Sequence, residues 1–167
     1  MKTLYLVRHA KSDWSNDNLP DFERFLNKRG VENAQEMAER FSNYQQIPEL
    51  LISSPAIRAL TTAKIFAKVF EISHNLIEKE PDIYESEISD LLRIVNSQSN
   101  HVNSIMMFGH NPTLFDFVNY FDDFSIHSFP TCSIAKVEFN VDQWELISKD
   151  SGKLVYFDFP KNKDLKN

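Results

Sequence analysis

Three observations predict an α/β fold with a mainly parallel central sheet. Short apolar runs rich in β-formers recur along the chain. Segments of helical spacing separate them, and no repeat, low-complexity tract or linker breaks the alternation. Parallel strands need long crossovers, and helical crossovers cover both faces of a sheet. The expected architecture is therefore a three-layer α/β/α sandwich.

Each element has its own warrant. Residues 3–7 form a short apolar run, expected as a buried strand. Residues 10–27 are polar, contain Pro20 and are expected as a loop. Residues 29–44 carry helical spacing through Val31, Ala34, Met37, Ala38 and Phe41. Residues 50–53 are a second strand. Residues 56–70 are a helix with an apolar face through Ile57, Leu60, Ile65, Phe66 and Val69. A further strand is expected at 74–79, a helix at 86–95, a strand at 104–108 and a helix at 112–120. Residues 133–139 and 154–159 alternate in polarity, as antiparallel or edge strands do. Residues 1–160 are expected as one domain, with a polar, frayed tail at 161–167.

Composition excludes several functions. The 18 Lys and Arg against 24 Asp and Glu leave a net charge of −6. Such a chain has no general attraction for nucleic acid or an anionic membrane, so any anion must meet a local positive cluster. No apolar run is long enough to cross a bilayer. Cys132 is the only cysteine, which excludes an internal disulfide and a thiolate zinc site. Gly30, Gly109 and Gly152 are too far apart for a dinucleotide fingerprint or a Walker A loop. The opening apolar run meets Arg8 and His9 at once, too short for a secretory signal, so a cytoplasmic protein is expected.

Ligands of such sheets sit beyond the carboxyl ends of the strands. Three of those ends are chemically unusual: Val7-Arg8-His9, Ser53-Ser54-Pro55 ahead of Arg58, and Gly109-His110-Asn111-Pro112. Ser54-Pro55 and Asn111-Pro112 each read as an N-cap followed by proline at the first helical position. Two helix N-termini would then face one anion. Two guanidiniums, two imidazoles and nearby Lys11 suit a phosphoryl group, because arginine offers phosphate a planar fork. A neutral imidazole can attack phosphorus. Each piece alone is commonplace: an Arg-His dipeptide, a solvated helix arginine, a capping histidine. Their joint placement at three strand ends carries the inference.

Leu6-Val7-Arg8-His9-Ala10-Lys11-Ser12 resembles the Arg-His signature of the histidine phosphatase superfamily, whose fold is phosphoglycerate mutase-like. Ser53-Ser54-Pro55-Ala56-Ile57-Arg58-Ala59, with Thr61-Thr62-Ala63, resembles its second signature, and Gly109-His110-Asn111-Pro112 its second histidine motif. The small size and Ala10-Lys11-Ser12 are most similar to SixA-like phosphohistidine phosphatases. The resemblance implies attack by His9, a phosphohistidine intermediate on it, and Arg8, Arg58 and His110 holding the phosphoryl oxygens. Lys11, Asn111 and Ser54 are candidate substrate-binding residues, and no metal or other cofactor is expected. His9 should be neutral at its attacking nitrogen, with the other nitrogen donating to a backbone carbonyl or a carboxylate.

The family generally supplies a carboxylic acid from the loop after the third strand. Glu85 in Pro81-Asp82-Ile83-Tyr84-Glu85-Ser86 is the first candidate, with Asp13 and Asp82 as alternatives. The plainer role for Glu85 is to begin the next helix. His74 and His101 are expected at the surface, and His127 near the rim at Pro130-Thr131-Cys132-Ser133. Cys132 reads as a small buried hydrophobe, Arg24 as one half of a surface salt bridge, and Glu32, Glu36 and Glu39 as a solvated helix face. Most of Phe115, Phe117, Phe121, Phe124 and Phe129 should be core. The expected function is a phosphatase acting on a phosphohistidine protein such as a histidine phosphotransfer domain. A small phosphomonoester substrate is the alternative, followed by a mutase and by a non-catalytic phosphate-binding module. A monomer is expected from size and resemblance.

Overall fold

The computed structural model describes residues 1–162, and counts below are of those residues; positions 163–167 of the expected tail lie outside them. The elements run β1 (Lys2–Arg8), α1 (Lys28–Tyr44), β2 (Leu50–Ser53), α2 (Ile57–Val69), β3 (Glu78–Lys79), α3 (Ile88–Asn96), β4 (Ser104–Gly109), α4 (Thr113–Phe121), β5 (Ile134–Phe139) and β6 (Gly152–Asp158). One six-stranded sheet has the order β3-β2-β4-β1-β5-β6. Neighbours from β3 to β1 are parallel. β5 and β6 continue antiparallel from β1.

The period of two along β1 divides the interior. Leu4 and Leu6 enter one core with Leu91, Ile94 and Val95 of α3 and Leu114, Phe117 and Phe121 of α4. Tyr5 and Val7 enter the other with Met37 and Phe41 of α1 and Ala63, Phe66 and Ala67 of α2. A strand buried on both faces reads as a continuous apolar run, which is why residues 3–7 lack polar alternation. Each such side chain contributes ~1.5–3 kcal/mol on burial. The three layers thus follow the sequence pattern.

Three local expectations fail. Only Glu78–Lys79 pair as a strand, and residues 74–76 form a 3-10 turn instead. The 10–27 segment is a loop as expected, and it holds a second such turn at Asp21–Glu23 and a bridge between Ser12 and Leu26. Val31 and Ile57 are exposed rather than part of the buried stripe, at 44% and 39%. Helices α2 and α4 start at Ile57 and Thr113, so Ser54 and Asn111 do not cap them. Their side chains have other partners, given below.

Of the phenylalanines, Phe117, Phe121 and Phe129 are core, Phe115 packs against it, and Phe124 is 79% exposed. The glutamate face of α1 is exposed as expected, but Glu36 also pairs with Arg40 at 2.7 Å. Arg40 falls on the buried side of α1. It donates to both carboxylate oxygens of Asp158, at 3.0 and 3.1 Å, tying α1 to the end of β6.

Candidate active site

The carboxyl ends of β1, β2 and β4 lie side by side, which brings Arg8-His9, Ser54 and His110 together. Backbone bonds hold the first pair: His9 N–H donates to Gly109 O at 3.0 Å. The Cys132 N–H reaches both the Arg8 and His9 carbonyls at 3.1 Å. Cys132 is buried, as expected of a small hydrophobe.

His9 is 7% exposed. Its Nδ1 lies 2.7 Å from the Ala10 carbonyl oxygen. A carbonyl can only accept, so Nδ1 carries the hydrogen and Nε2 keeps its lone pair. This partner is of the kind expected from the sequence. Nε2 lies 3.4 Å from Arg58 Nε. Burial, reinforced by the charges of Arg58 and Arg8 and opposed by the Ala10 carbonyl, lowers the His9 pKa to about 4. The ring is therefore neutral at physiological pH.

Arg58 is the second residue of α2. Besides facing His9, it donates to the Asp21 carbonyl at 2.6 Å and to Asp21 Oδ2 at 3.0 Å. Thr62, one turn on, donates to the Arg58 carbonyl at 2.7 Å and accepts from Ala10 N–H at 3.0 Å. It thereby locks α2 to the loop after His9. Tyr84 OH donates to the same Asp21 oxygen at 2.7 Å. Partial burial works to raise the Asp21 pKa, but the bonds from Tyr84 and Arg58 outweigh it and hold the carboxyl below its usual range.

His110 follows β4, its ring centroid 5.3 Å from that of His9. Its Nε2 lies 2.8 Å from Ser54 Oγ. That hydroxyl accepts from Ala56 N–H at 3.2 Å, so its own hydrogen is available to His110 Nε2. In the tautomer in which Ser54 donates, Nδ1 is the protonated nitrogen. Nδ1 is buried without a partner among the described residues, as is Arg8 Nε. Burial first, then repulsion from His9 once that ring protonates and from Arg58, pull the His110 pKa down to about 3. Arg8 is lowered by burial and by Arg58, yet an arginine stays charged at neutral pH. Arg8 Nη1 and Asn111 Nδ2 both donate to the Phe129 carbonyl, at 3.1 and 2.9 Å.

Two recesses meet at the Asp21–Arg58 pair. One, of about 310 Å³, is lined by Arg8, His9, Lys11, Trp14 and Thr131. The other, of about 360 Å³, is lined by Tyr84, Glu85, His110 and Asn111. Buried donors and two guanidiniums can hold a tetrahedral anion, and the His9 Nε2 lone pair, which accepts only a long bond from Arg58 Nε at 3.4 Å, can attack its centre.

Arg8, His9, Arg58 and His110 come together, with Lys11 and Asn111 on the recess walls. Ser54 is wholly buried and touches His110, so it positions that ring rather than lining a recess. Glu85 is exposed at the second recess, in a left-handed conformation with φ 54°. Asp82 instead pairs with Arg93 at 2.9 Å, and Asp13 accepts from Ser15 N–H at 2.7 Å; neither lines a recess. Arg24 is no surface salt bridge. It is 8% exposed, stacked 3.9 Å over Trp14, and donates to the Asn16 carbonyl. His74 and His101 are exposed, and His127 lines a shallow recess beside Arg8 and Phe129. Nothing in the sequence singles out Asp21 among the acids of its polar loop. Tyr84 lies inside the loop expected to supply an acid, next to Glu85. Among the described residues no three His, Cys, Asp or Glu gather as metal ligands.

Residues 4–91 match the sequence profile of the histidine phosphatase superfamily, branch 1. The chain belongs to that superfamily. The structure of SixA from Agrobacterium tumefaciens superposes with a TM-score of 0.79 at 26% identity, covering 93% of this chain and 96% of that one. The protein histidine phosphatase SixA complexed with tungstate gives 0.81 at 19% identity, covering 95% and 97%. An uncharacterised chloroplastic protein of Arabidopsis thaliana is 29% identical over 86% of this chain and 69% of its own length. A 2,3-bisphosphoglycerate-dependent phosphoglycerate mutase of Clavibacter michiganensis is 38% identical over 71 residues, which is 40% of this chain and 28% of the mutase. This histidine phosphatase is thus a SixA-like hydrolase. No helix among its described residues is long and apolar enough to cross a membrane.

Proposed function

We propose that the chain hydrolyses phosphohistidine on a protein, without a metal, through a phosphorylated His9. The observation that carries the proposal is the fixed His9 tautomer, with Nδ1–H on the Ala10 carbonyl and Nε2 turned toward Arg58. In the first step the Nε2 lone pair attacks phosphorus and the bond from phosphorus to the substrate nitrogen breaks, the substrate ring leaving as neutral imidazole because its other nitrogen carries a proton taken from solvent. Arg8, Arg58 and His110 Nδ1–H hold the phosphoryl oxygens, where charge changes most in the transition state. Water then attacks phospho-His9, releasing phosphate and restoring the free imidazole; its second proton passes to solvent.

The leaving group favours a nitrogen-phosphorus substrate. An alkoxide needs a protonated acid beside it, whereas a departing imidazole needs little help. Asp21, the carboxylate between the two recesses, is kept ionised by Tyr84 and Arg58. Glu85 is the remaining acid at the second recess. Glu85→Gln is accordingly expected to lower turnover of a phosphohistidine protein less than threefold and that of an alkyl phosphomonoester such as glycerol phosphate more. A large loss on the phosphohistidine protein would assign Glu85 as an obligatory acid there.

The test of the function is phosphate release in EDTA from a histidine-phosphorylated phosphotransfer protein, with p-nitrophenyl phosphate in parallel. Preferential turnover of the protein, lost in His9→Ala, is the expected result. Faster turnover of the monoester would move the assignment to a small-molecule phosphatase. Loss of both activities in EDTA would remove metal independence.

A further inference from the structure

A second groove, of about 270 Å³, adjoins the His9 recess and shares Lys11 and Thr131 with it. Its charged lining is Lys11, Arg29 and Lys161, over an apolar floor that includes Phe159 and Pro160. No carboxylate lines it, in a chain whose acids outnumber its bases by six. None of the three cations has an ion-pair partner among the described residues.

The backbone fixes this grouping. Asn27 N–H donates to the Lys11 carbonyl at 3.0 Å. A side chain at Gly30 would collide with that same carbonyl oxygen, so only glycine lets the start of α1 approach so closely. Arg29 is thereby held beside Lys11. Lys28 and Arg29 also stand in the first turn of α1, which contains no acid. Cations are disfavoured at that end of a helix dipole, so folding stability does not account for their position.

We infer that this groove binds an acidic segment of the protein substrate, next in sequence or in space to the phosphorylated residue. The inference rests on the function proposed above and supplies a specificity it lacks. Carboxylates would meet Arg29 and Lys161, while the apolar floor takes the intervening aliphatic stems. Charges at an exposed rim act chiefly on encounter and on KM, and salt weakens them.

The probe is an unphosphorylated peptide carrying four glutamates around a histidine, with its glutamine counterpart as control. Each is tested as an inhibitor of p-nitrophenyl phosphate turnover by the wild type and by Arg29→Gln/Lys161→Gln. The glutamate peptide is expected to inhibit the wild type at roughly tenfold lower concentration than the glutamine peptide, and the double variant equally with both. Uncatalysed competition of this kind reports on the groove whether or not phosphohistidine is hydrolysed. Equal inhibition of the wild type by both peptides, or a preference unchanged in the double variant, would overturn the inference. So would selective inhibition by a small bisphosphate with no response to the acidic peptide. Phosphohistidine forms of the same peptides separately test the proposed function. A preference for the acidic phosphopeptide in kcat/KM, abolished by the double substitution, is expected there.

Discussion

The parallel and antiparallel halves of the sheet do different work. Arg8, His9, Arg58 and His110 all leave the carboxyl end of β1, β2 or β4, or the loop or helix that follows it. The antiparallel side, reached through the Phe129 to Ser133 turn into β5, contributes backbone instead. The Phe129 carbonyl holds Arg8 and Asn111, and Ser133 O accepts from Arg8 N–H at 3.1 Å. Its one buried charge network, Arg40 with Asp158, lies on β6 and joins helix to sheet. Parallel strands point their carboxyl ends the same way, so their following loops converge, and antiparallel strands cannot do this. Chemistry and mechanical support are therefore separable by substitution.

The largest expected effect is in the parallel half. His9→Ala should lower kcat/KM by ~10⁴-fold or more, about 5.5 kcal/mol of transition-state stabilisation, because the nucleophile itself is lost. Its denaturant midpoint should not fall. In the antiparallel half the pattern should reverse. Arg40→Met leaves Asp158 buried without its guanidinium and should cost ~3–5 kcal/mol of stability, read by urea unfolding. Its kcat in the folded protein should stay within about twofold of the wild type. A large kcat loss in Arg40→Met would erase the division between the halves.

Acid offers a third effect. His9 and His110 have folded-state pKa values near 4 and 3, below the ordinary 6.5 of histidine. Between these limits the unfolded chain binds protons that the folded chain refuses, so stability falls as pH falls from about 6.5 toward 4. Each histidine adds a slope of ~1.4 kcal/mol per pH unit in that window. His9→Gln should remove one such slope in phosphate-free buffer, and an unchanged slope would place the His9 ring in water. The smallest effect belongs to Ser54→Ala. Freeing the His110 ring to change tautomer should lower kcat/KM about tenfold, roughly one hydrogen bond's worth, and leave unfolding nearly unmoved. Loss of stability without loss of activity would make Ser54 a packing residue only.

The legibility of this molecule follows the same division. The sheet and its helices were readable because β1 and β4 are apolar runs and α1 and α2 carry helical periodicity. Arg8, His9, Arg58 and His110 were readable because strand ends place them and motif spacing marks them. Asp21 was not, since a polar loop has no period and its bonds to Arg58 and Tyr84 join residues 37 and 63 positions away. Ser54 and Asn111 were expected as caps because Ser-Pro and Asn-Pro are common helix starts. Instead their side chains bond to His110 and Phe129, and the helices begin beyond them. Arg40 on a buried helix face could not be understood without Asp158, 118 residues further on.

The most direct test is to trap the phosphoenzyme. The enzyme would be mixed with a ³²P-labelled phosphohistidine protein, quenched within milliseconds in alkali, which preserves phosphohistidine, and mapped by mass spectrometry. Label on His9 at Nε2, formed and discharged at rates that account for turnover, is the expected result. Turnover with no label on His9, or with label on His9 Nδ1 or on His110, would contradict a mechanism built on the Ala10 hydrogen bond and the Arg58-facing lone pair.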